Sequence, residues 1–199
     1  MGFFQDMIAV FKKRELVFLG SHQESDEVYT FEFEKPDGLS WRAGQYGLFS
    51  ITHKRIKQAT KPFSISAAPA ERVVRITTRI GGTPSEFKQA LLELKPGMKM
   101  KISGPLGAFT ITDHRPALLI AGGIGITPIR AIVKQIEAER NEDKRPIHVL
   151  YTDSDRTFIF KDELDAIAKK SSISVTYAEN RDDLHAEIGM FADAYQGSG

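Results

Sequence analysis

The run Ala121-Gly122-Gly123-Ile124-Gly125-Ile126-Thr127-Pro128 is where this 199-residue chain most directly implies chemistry. It joins a short apolar, strand-like run, Ala117 to Ala121, to a helical pattern beginning at Pro128. Glycines let backbone N–H groups approach a ligand closely and accept dihedrals that other residues avoid. A helix start adds unpaired donors and roughly half a positive charge. Thr127 suits the N-cap and Pro128 the first helical position. Three residues after that cap stands Arg130 rather than Glu, so no capping box takes up the donors. They are left for an anion, and the chemistry is that of a phosphate seat. Read from Gly123, the pattern G-x-G-x-x-G fails at Pro128, so this is not the usual dinucleotide fingerprint. A tight packing turn without a ligand fits the same residues. The motif needs company.

Other chemistries are excluded by composition. The chain has no cysteine. That removes disulfides, zinc ribbons, thiol catalysis and cysteine-ligated iron–sulfur clusters within it, and fits a reducing, cytoplasmic setting. His22, His53, His114, His148 and His185 show no ligand spacing, so no metal site is expected, and no Ser/His/Asp arrangement is present. Lys and Arg number 27 against 26 Asp and Glu, interspersed, so nothing asks for nucleic acid. No apolar run approaches the ~20 residues needed to span a bilayer. Phe3, Phe4, Met7, Ile8 and Phe11 recur at helical spacing ahead of Lys12, Lys13 and Arg14. This predicts a short helix over Met1 to Arg14 that packs on the fold or a partner, an interfacial membrane helix being the alternative. Its charges follow the apolar stretch, unlike those of a secretory signal.

The elements that must position these residues divide in two. Leu16–Leu19, Val28–Phe33, Tyr46–Ile51, Phe63–Ala67, Val73–Thr78 and Lys99–Ile102 are short β-rich runs, separated by turn signals such as Pro36-Asp37-Gly38 and Pro96-Gly97. One helix interrupts them, from about Pro84 to Leu94. Many short strands with one helix predict a closed antiparallel barrel. After Asp113 strand and helix alternate: Ala117–Ala121, Pro128 to about Arg140, Ile147–Tyr151, Lys161–Lys169 and Ile173–Tyr177. That rhythm predicts a parallel sheet with right-handed crossovers. The boundary falls near Thr112 to Arg115, giving a barrel over residues 1–113 and an α/β domain over 114–199.

Company for the glycine turn comes from Gly44-Gln45-Tyr46, Lys61-Pro62-Phe63-Ser64, Gly81-Gly82-Thr83-Pro84-Ser85 and Gly104-Pro105-Leu106-Gly107. In this order, over about Glu15 to Ala178, they resemble the ferredoxin–NADP reductase superfamily, which carries G-Q-Y, R-x-Y-[ST], G-G-x-x-S, G-P-x-G and G-G-x-G-x-[ST]-P. The resemblance implies an FAD-binding barrel followed by a Rossmann-like NAD(P)-binding domain. It implies that Lys61 replaces the arginine that binds the flavin pyrophosphate, and that Phe63 replaces the tyrosine lying against the isoalloxazine ring. Ser64 takes the place of the hydroxyl near flavin N5, the candidate catalytic group. Tyr46 matches a residue at the flavin site, and Gly81, Gly82, Thr83 and Ser85 the segment facing the pyrophosphate. Gly122, Gly123, Gly125, Thr127 and Pro128 match the nicotinamide-nucleotide phosphate loop. The chemistry agrees: Phe63 offers a flat apolar wall, and a hydroxyl can donate to or accept from N5. Lys61 offers a point charge where arginine offers a fork.

Thr83 and Glu86 have the spacing of a capping box, which would put the Glu86 charge near the pyrophosphate. The segment Asp153 to Arg156 stands where the family meets the adenosine ribose: Asp153 and Asp155 favour NADH, Arg156 would suit a 2′-phosphate, and a solvated loop without either contact fits as well. The loop Thr52 to Lys61, with His53, Lys54, Arg55 and Lys57, is solvated, or reaches the flavin's adenylate end, or docks an acidic partner such as ferredoxin or flavodoxin. The family's later [CA]-G-P segment and aromatic C-terminus have no counterpart before Gly199, which reads as a C-terminal part missing from the nucleotide domain. The expected activity is hydride transfer from NAD(P)H to FAD, with electrons passed to a protein or small acceptor. The alternatives are an FAD-carrying subunit or flavin sensor without its own NAD(P)H turnover, and a nicotinamide-only dehydrogenase.

Overall fold

A computed structural model describes residues 12–113, 115–139 and 145–195. Strands β1 (Lys13–Ser25), β2 (Val28–Glu34), β3 (Tyr46–Ile51), β4 (Thr60–Ser64), β5 (Val73–Arg79) and β6 (Lys99–Leu106) form an antiparallel sheet in the order β4-β3-β6-β1-β2-β5. β1 pairs with β6 from Lys13 to Val17 and with β2 from Phe18 onward, the register shifting between Phe18 and Gly20. An extra residue at such a point bends a strand and increases its twist. This handover between neighbours rolls the sheet around one core of Leu16, Phe18, Phe31, Phe33, Phe49, Ile76 and Met100.

The expected closed barrel is corrected to an open, barrel-like sheet, because β4 and β5 remain at its edges. Pro62 in β4 has no N–H to give to a further strand, which suits an edge. Beyond β4 a few bonds span the gap: Ser66 donates its N–H to the Arg75 carbonyl at 2.8 Å, and its hydroxyl lies 3.1 Å from that of Thr77. The chain then turns through a 3₁₀ segment, Pro69–Glu71.

Helix α1 (Glu86–Leu92) buries Phe87, Ala90 and Leu91 against this core. Its N-cap is Ser85, whose hydroxyl accepts from the Lys88 N–H at 3.5 Å, so the Thr83 capping box does not form. Glu86 is then the first helical residue, and its carboxylate accepts instead from the Lys57 N–H at 3.2 Å. The N-terminal expectation is also revised: Lys13 and Arg14 belong to β1, opposite Ser103 and Ile102. The rest of that predicted helix, residues 1–11, lies outside the described residues.

Strands β7 (Ala117–Gly122), β8 (Ile147–Thr152) and β9 (Ile173–Ala178) form a parallel sheet in sequence order. Leu119, Val149, Tyr151 and Ile173 on one face pack with Ile129 and Val133 of α2 (Ile126–Ala138) and Leu164 and Ile167 of α3 (Lys161–Ala168). Side chains alternate across a strand, so His148 faces the other way, where it stacks on Phe191 of α4 (Arg181–Ala194), ring centroids 6.3 Å apart. Among the described residues no helix is long and apolar enough to cross a membrane, and no cluster of acids and histidines could hold a metal.

Candidate functional site

β7 ends at Gly122, Gly123–Gly125 form a 3₁₀ turn, and α2 starts at Ile126 with Gly125 as its N-cap. Gly123 has φ +50°, and this left-handed step turns the chain early enough for the helix to begin before Thr127. Thr127 is therefore not the cap. It lies in the first turn, 5% exposed, and its hydroxyl donates to the Ile124 carbonyl at 3.1 Å. Pro128 becomes the third helical residue rather than the first, still a position whose N–H has no intrahelical partner to lose. No side chain caps the helix, and a Cβ built on Gly122 or Gly125 would meet nothing within 4 Å. At Gly122 and Gly125 the turn is open and presents backbone, while at Gly123 an Asp153 carboxylate oxygen comes within 3.3 Å of where a Cβ would stand.

In the barrel, Tyr46 and Ser64 are cross-strand partners on β3 and β4. Tyr46 is 37% exposed, and Gly107 comes so close that a Cβ there would stand 2.9 Å from the tyrosine ring. Phe63 points to the opposite face, stacked on Phe87 of α1 (centroids 5.5 Å, planes 29° apart) and edge-on to Phe49. Lys61 shares that face, its ammonium donating to the Gln58 amide oxygen. Lys61 and Ser85 come together in one cavity of about 230 Å³, whose other walls are Lys57, Gln58, Glu86 and Phe87. Gly82, at φ +57°, Gly81 and Thr83 lead exposed into Ser85 at the start of α1. Gly81 lies against the Glu27 carboxylate. Pro62 is exposed on β4.

The two motif regions are tied through Arg130, in the second turn of α2 and 4% exposed. It donates to the Ser66 carbonyl at 2.8 Å, to both Glu71 oxygens at 2.9 and 3.0 Å, and to both Glu163 oxygens at 2.7 and 2.8 Å. Burial alone would raise the Glu71 pKa. The Arg130 hydrogen bond and charge, the Ala68 N–H and the Arg75 charge outweigh it and hold Glu71 below its ordinary value of 4.5. A carboxylate with a depressed folded-state pKa contributes stability above its unfolded pKa and loses it as pH falls through the folded one. Acid unfolding should therefore set in below about pH 4.5, and Glu71→Gln should flatten that limb; denaturant midpoints measured from pH 6 to pH 3 check it.

A second tie runs from Arg79 at the end of β5 to Asp155 (2.9 Å) and Asp153 (3.4 Å) beyond β8. Asp153 is 5% exposed and accepts from the N–H groups of Asp155 and Thr157. It is thus occupied within its own turn, leaving Asp155 as the exposed acid there. Arg156 pairs with Glu179 at 3.2 Å. Arg79 and Glu71 belong to no motif of the sequence, and Arg130 enters one only as the residue that is not Glu three places after Thr127. A buried-type arginine in the apolar helical run Ile126 to Val133 was the available signal.

Residues 119–194 match the model of an oxidoreductase NAD-binding domain. The chain is similar to the toluate 1,2-dioxygenase electron transfer component of Pseudomonas putida, 33% identical over 136 residues, 66% of this chain and 38% of the relative. It is likewise similar to ferredoxin–NADP reductase B of Sorangium cellulosum, 31% identical over 154 residues, 72% of this chain and 60% of that protein. The chain thus spans less than two thirds of the length of either. Among solved structures, ferredoxin–NADP⁺ reductase from Plasmodium falciparum with 2′P-AMP superposes with a TM-score of 0.81 at 16% identity, over 94% of this chain and 84% of that one.

Proposed function

This chain belongs to the ferredoxin–NADP reductase superfamily, and from that we propose that it forms the flavin- and nicotinamide-binding part of an NAD(P)H-dependent flavoprotein oxidoreductase. The single observation that carries the reading is the bonding of Ser66, two residues past Ser64, to Arg130 of the helix that rises from the glycine turn. Hydride transfer needs two heterocycles held in near-attack geometry, and here the segments that would hold them share one anchor.

The residues fit FAD. The Lys61–Ser85 cavity joins a cation to the start of α1, and the backbone at Gly82 is open, as a phosphate requires. Lys61 would bind the pyrophosphate as a point charge, with Gly81, Gly82, Thr83 and Ser85 presenting backbone to it. Phe63 lies on the face opposite Ser64, packed on Phe87 and Phe49, so it would back the strand, and the exposed ring of Tyr46 would be the flat wall on the Ser64 face. Tyr46 and Ser64 stand side by side, and Ser64 would hold its hydroxyl proton towards flavin N5 as the catalytic residue. Pro62 stiffens the strand between Lys61 and Phe63. The seat at Gly122, Gly123, Gly125, Thr127 and Pro128 would take the nicotinamide nucleotide's phosphates at the uncapped start of α2. FAD held by these residues would supply the redox chemistry, namely hydride acceptance and single-electron release.

Asp155, exposed beyond β8, favours NADH because its carboxylate, held by Arg79 at 2.9 Å through one oxygen, would accept from the ribose hydroxyls through the other. Arg55 and Lys57, exposed in the loop before β4, suit an acidic acceptor such as ferredoxin or flavodoxin in the cytoplasm. Lys61→Ala should weaken FAD binding by about 5- to 30-fold, the worth of one charge-assisted hydrogen bond of roughly 1–2 kcal/mol. Fluorescence titration of the flavin-free chain with FAD measures it. Unchanged affinity in the variant would remove Lys61 from the site.

A further inference from the structure

We propose that Arg130 is a positioning residue for hydride transfer, setting the distance between the nucleotide seat and Ser64, in addition to joining the two sheets. The proposal rests on the oxidoreductase reading above and deepens it.

A guanidinium has five N–H donors, and the five bonds from Arg130 use one each. Two reach Glu71, one the Ser66 carbonyl and two Glu163. Its charged carbon also stands 5.2 Å from the centre of the Phe160 ring. Both carboxylates are gripped through two oxygens, a geometry that fixes orientation as well as distance. Arg75 and Lys134 reinforce the cluster, donating to Glu71 at 2.9 Å and approaching Glu163 at 3.4 Å.

On the flavin side the partner is a rigid segment. Ser66 donates its N–H to Arg75, Ala67 accepts from the Trp41 indole at 3.1 Å, and Ala68 donates to the same Glu71 oxygen that Arg130 grips. Every residue from Ser66 to Ala68 is thereby fixed, and Ser64 lies only two residues upstream, about 7 Å of extended chain. On the nucleotide side Arg130 lies five residues from the Gly125 cap, about 7.5 Å of helix. The clasp therefore sits midway along a short lever between the two sites. Misplacement of reacting atoms by about 1 Å can cost roughly 100-fold in rate, and a lever this short transmits such a shift. Lysine retains the charge but has three donors and no planar fork, so it can give each acid and the carbonyl at most one bond and loses the two-oxygen grip that orients them.

The test uses the full chain loaded with FAD and stopped-flow bleaching by NADH. Arg130→Lys should lower the limiting bleaching rate at least about tenfold, while the half-saturating NADH concentration and the FAD dissociation constant each change less than about threefold. A merely structural role would lower the melting temperature and leave the limiting rate of the folded protein alone. Amide hydrogen exchange on the flavin-free chain gives an independent readout: exchange should rise together at residues 66–71 and 126–131. Folded Arg130→Lys protein with the wild-type limiting rate and wild-type exchange would overturn the proposal. Should that variant not fold, Glu71→Gln keeps the arginine fork and one acceptor, and the same rate and exchange readouts decide. A wild-type chain that took up no FAD would defeat the oxidoreductase reading, and exchange alone would then judge the clasp: rises confined to one segment would overturn the coupling.

Discussion

Gly125→Asp should weaken NADH binding by about 30-fold, equivalent to roughly 2 kcal/mol, with FAD uptake and folding left in place. A Cβ at this position meets nothing within 4 Å, and the residue has an ordinary helical φ of −62°, so the fold accommodates a side chain. A carboxylate at a helix start even interacts favourably with the dipole. For an anionic ligand the sign reverses. The new charge would stand about 5 Å from a bound phosphate, where like charges repel by roughly 3 kcal/mol at an effective dielectric of about 20, reduced to about 2 kcal/mol by salt screening. The variant thus separates the two demands on one position, unchanged for stability and damaging for the nucleotide. Titration of the flavin-loaded protein with NADH, alongside a thermal melt, measures both. Unchanged NADH affinity would show that the glycine turn is a packing turn after all.

Gly44→Ala should destabilise the whole fold by about 3 kcal/mol or more, a fall in melting temperature of roughly 6–12 °C for a chain of this size. Gly44 has φ +94°, a conformation that side chains rarely adopt, and a Cβ there would lie 1.9 Å from the Phe109 carbonyl oxygen. The Ile132 methyl of α2 would be 3.1 Å away. The backbone of residue 109 cannot yield easily, because Gly107 beside it is itself bonded through its carbonyl to Gln45 at 3.0 Å. Barrel, linker and nucleotide helix meet at this glycine, so the damage should appear as one cooperative loss of stability in a calorimetric melt. A melting temperature unchanged within about 2 °C would contradict the packing described.

The sequence was most legible where local rules coincide with tertiary demand. β3 and the bodies of β7, β8 and β9 are apolar runs bounded by turn residues, and they form where the pattern places them. Thr127 and Thr83 show the limit: each has the right cap chemistry, yet a left-handed glycine in one case and a second hydroxyl residue, Ser85, in the other shifts the helix start. Capping rules rank residue types and do not say which of two neighbours the tertiary fold selects. Helix α4 carries a legible signal: Asn180 accepts from the N–H groups of Asp182 and Asp183, and Leu184, Ile188 and Phe191 follow at helical spacing. Barrel closure was not legible, since strand runs do not reveal which edges pair. Nor was the Arg130–Glu71–Glu163 cluster, whose members lie 59 and 33 residues apart and meet only once both sheets have formed.

The proposed electron-transfer site needs the glycine turn of α2 and the β4 segment to serve it together. Its most direct test is the visible spectrum of the purified chain with added FAD, recorded anaerobically before and after NADH. We predict uptake of the flavin, seen as a yellow protein retained through gel filtration, and bleaching of that colour by NADH. A chain that retains no flavin, or one whose bound flavin keeps its colour under both NADH and NADPH, would contradict it.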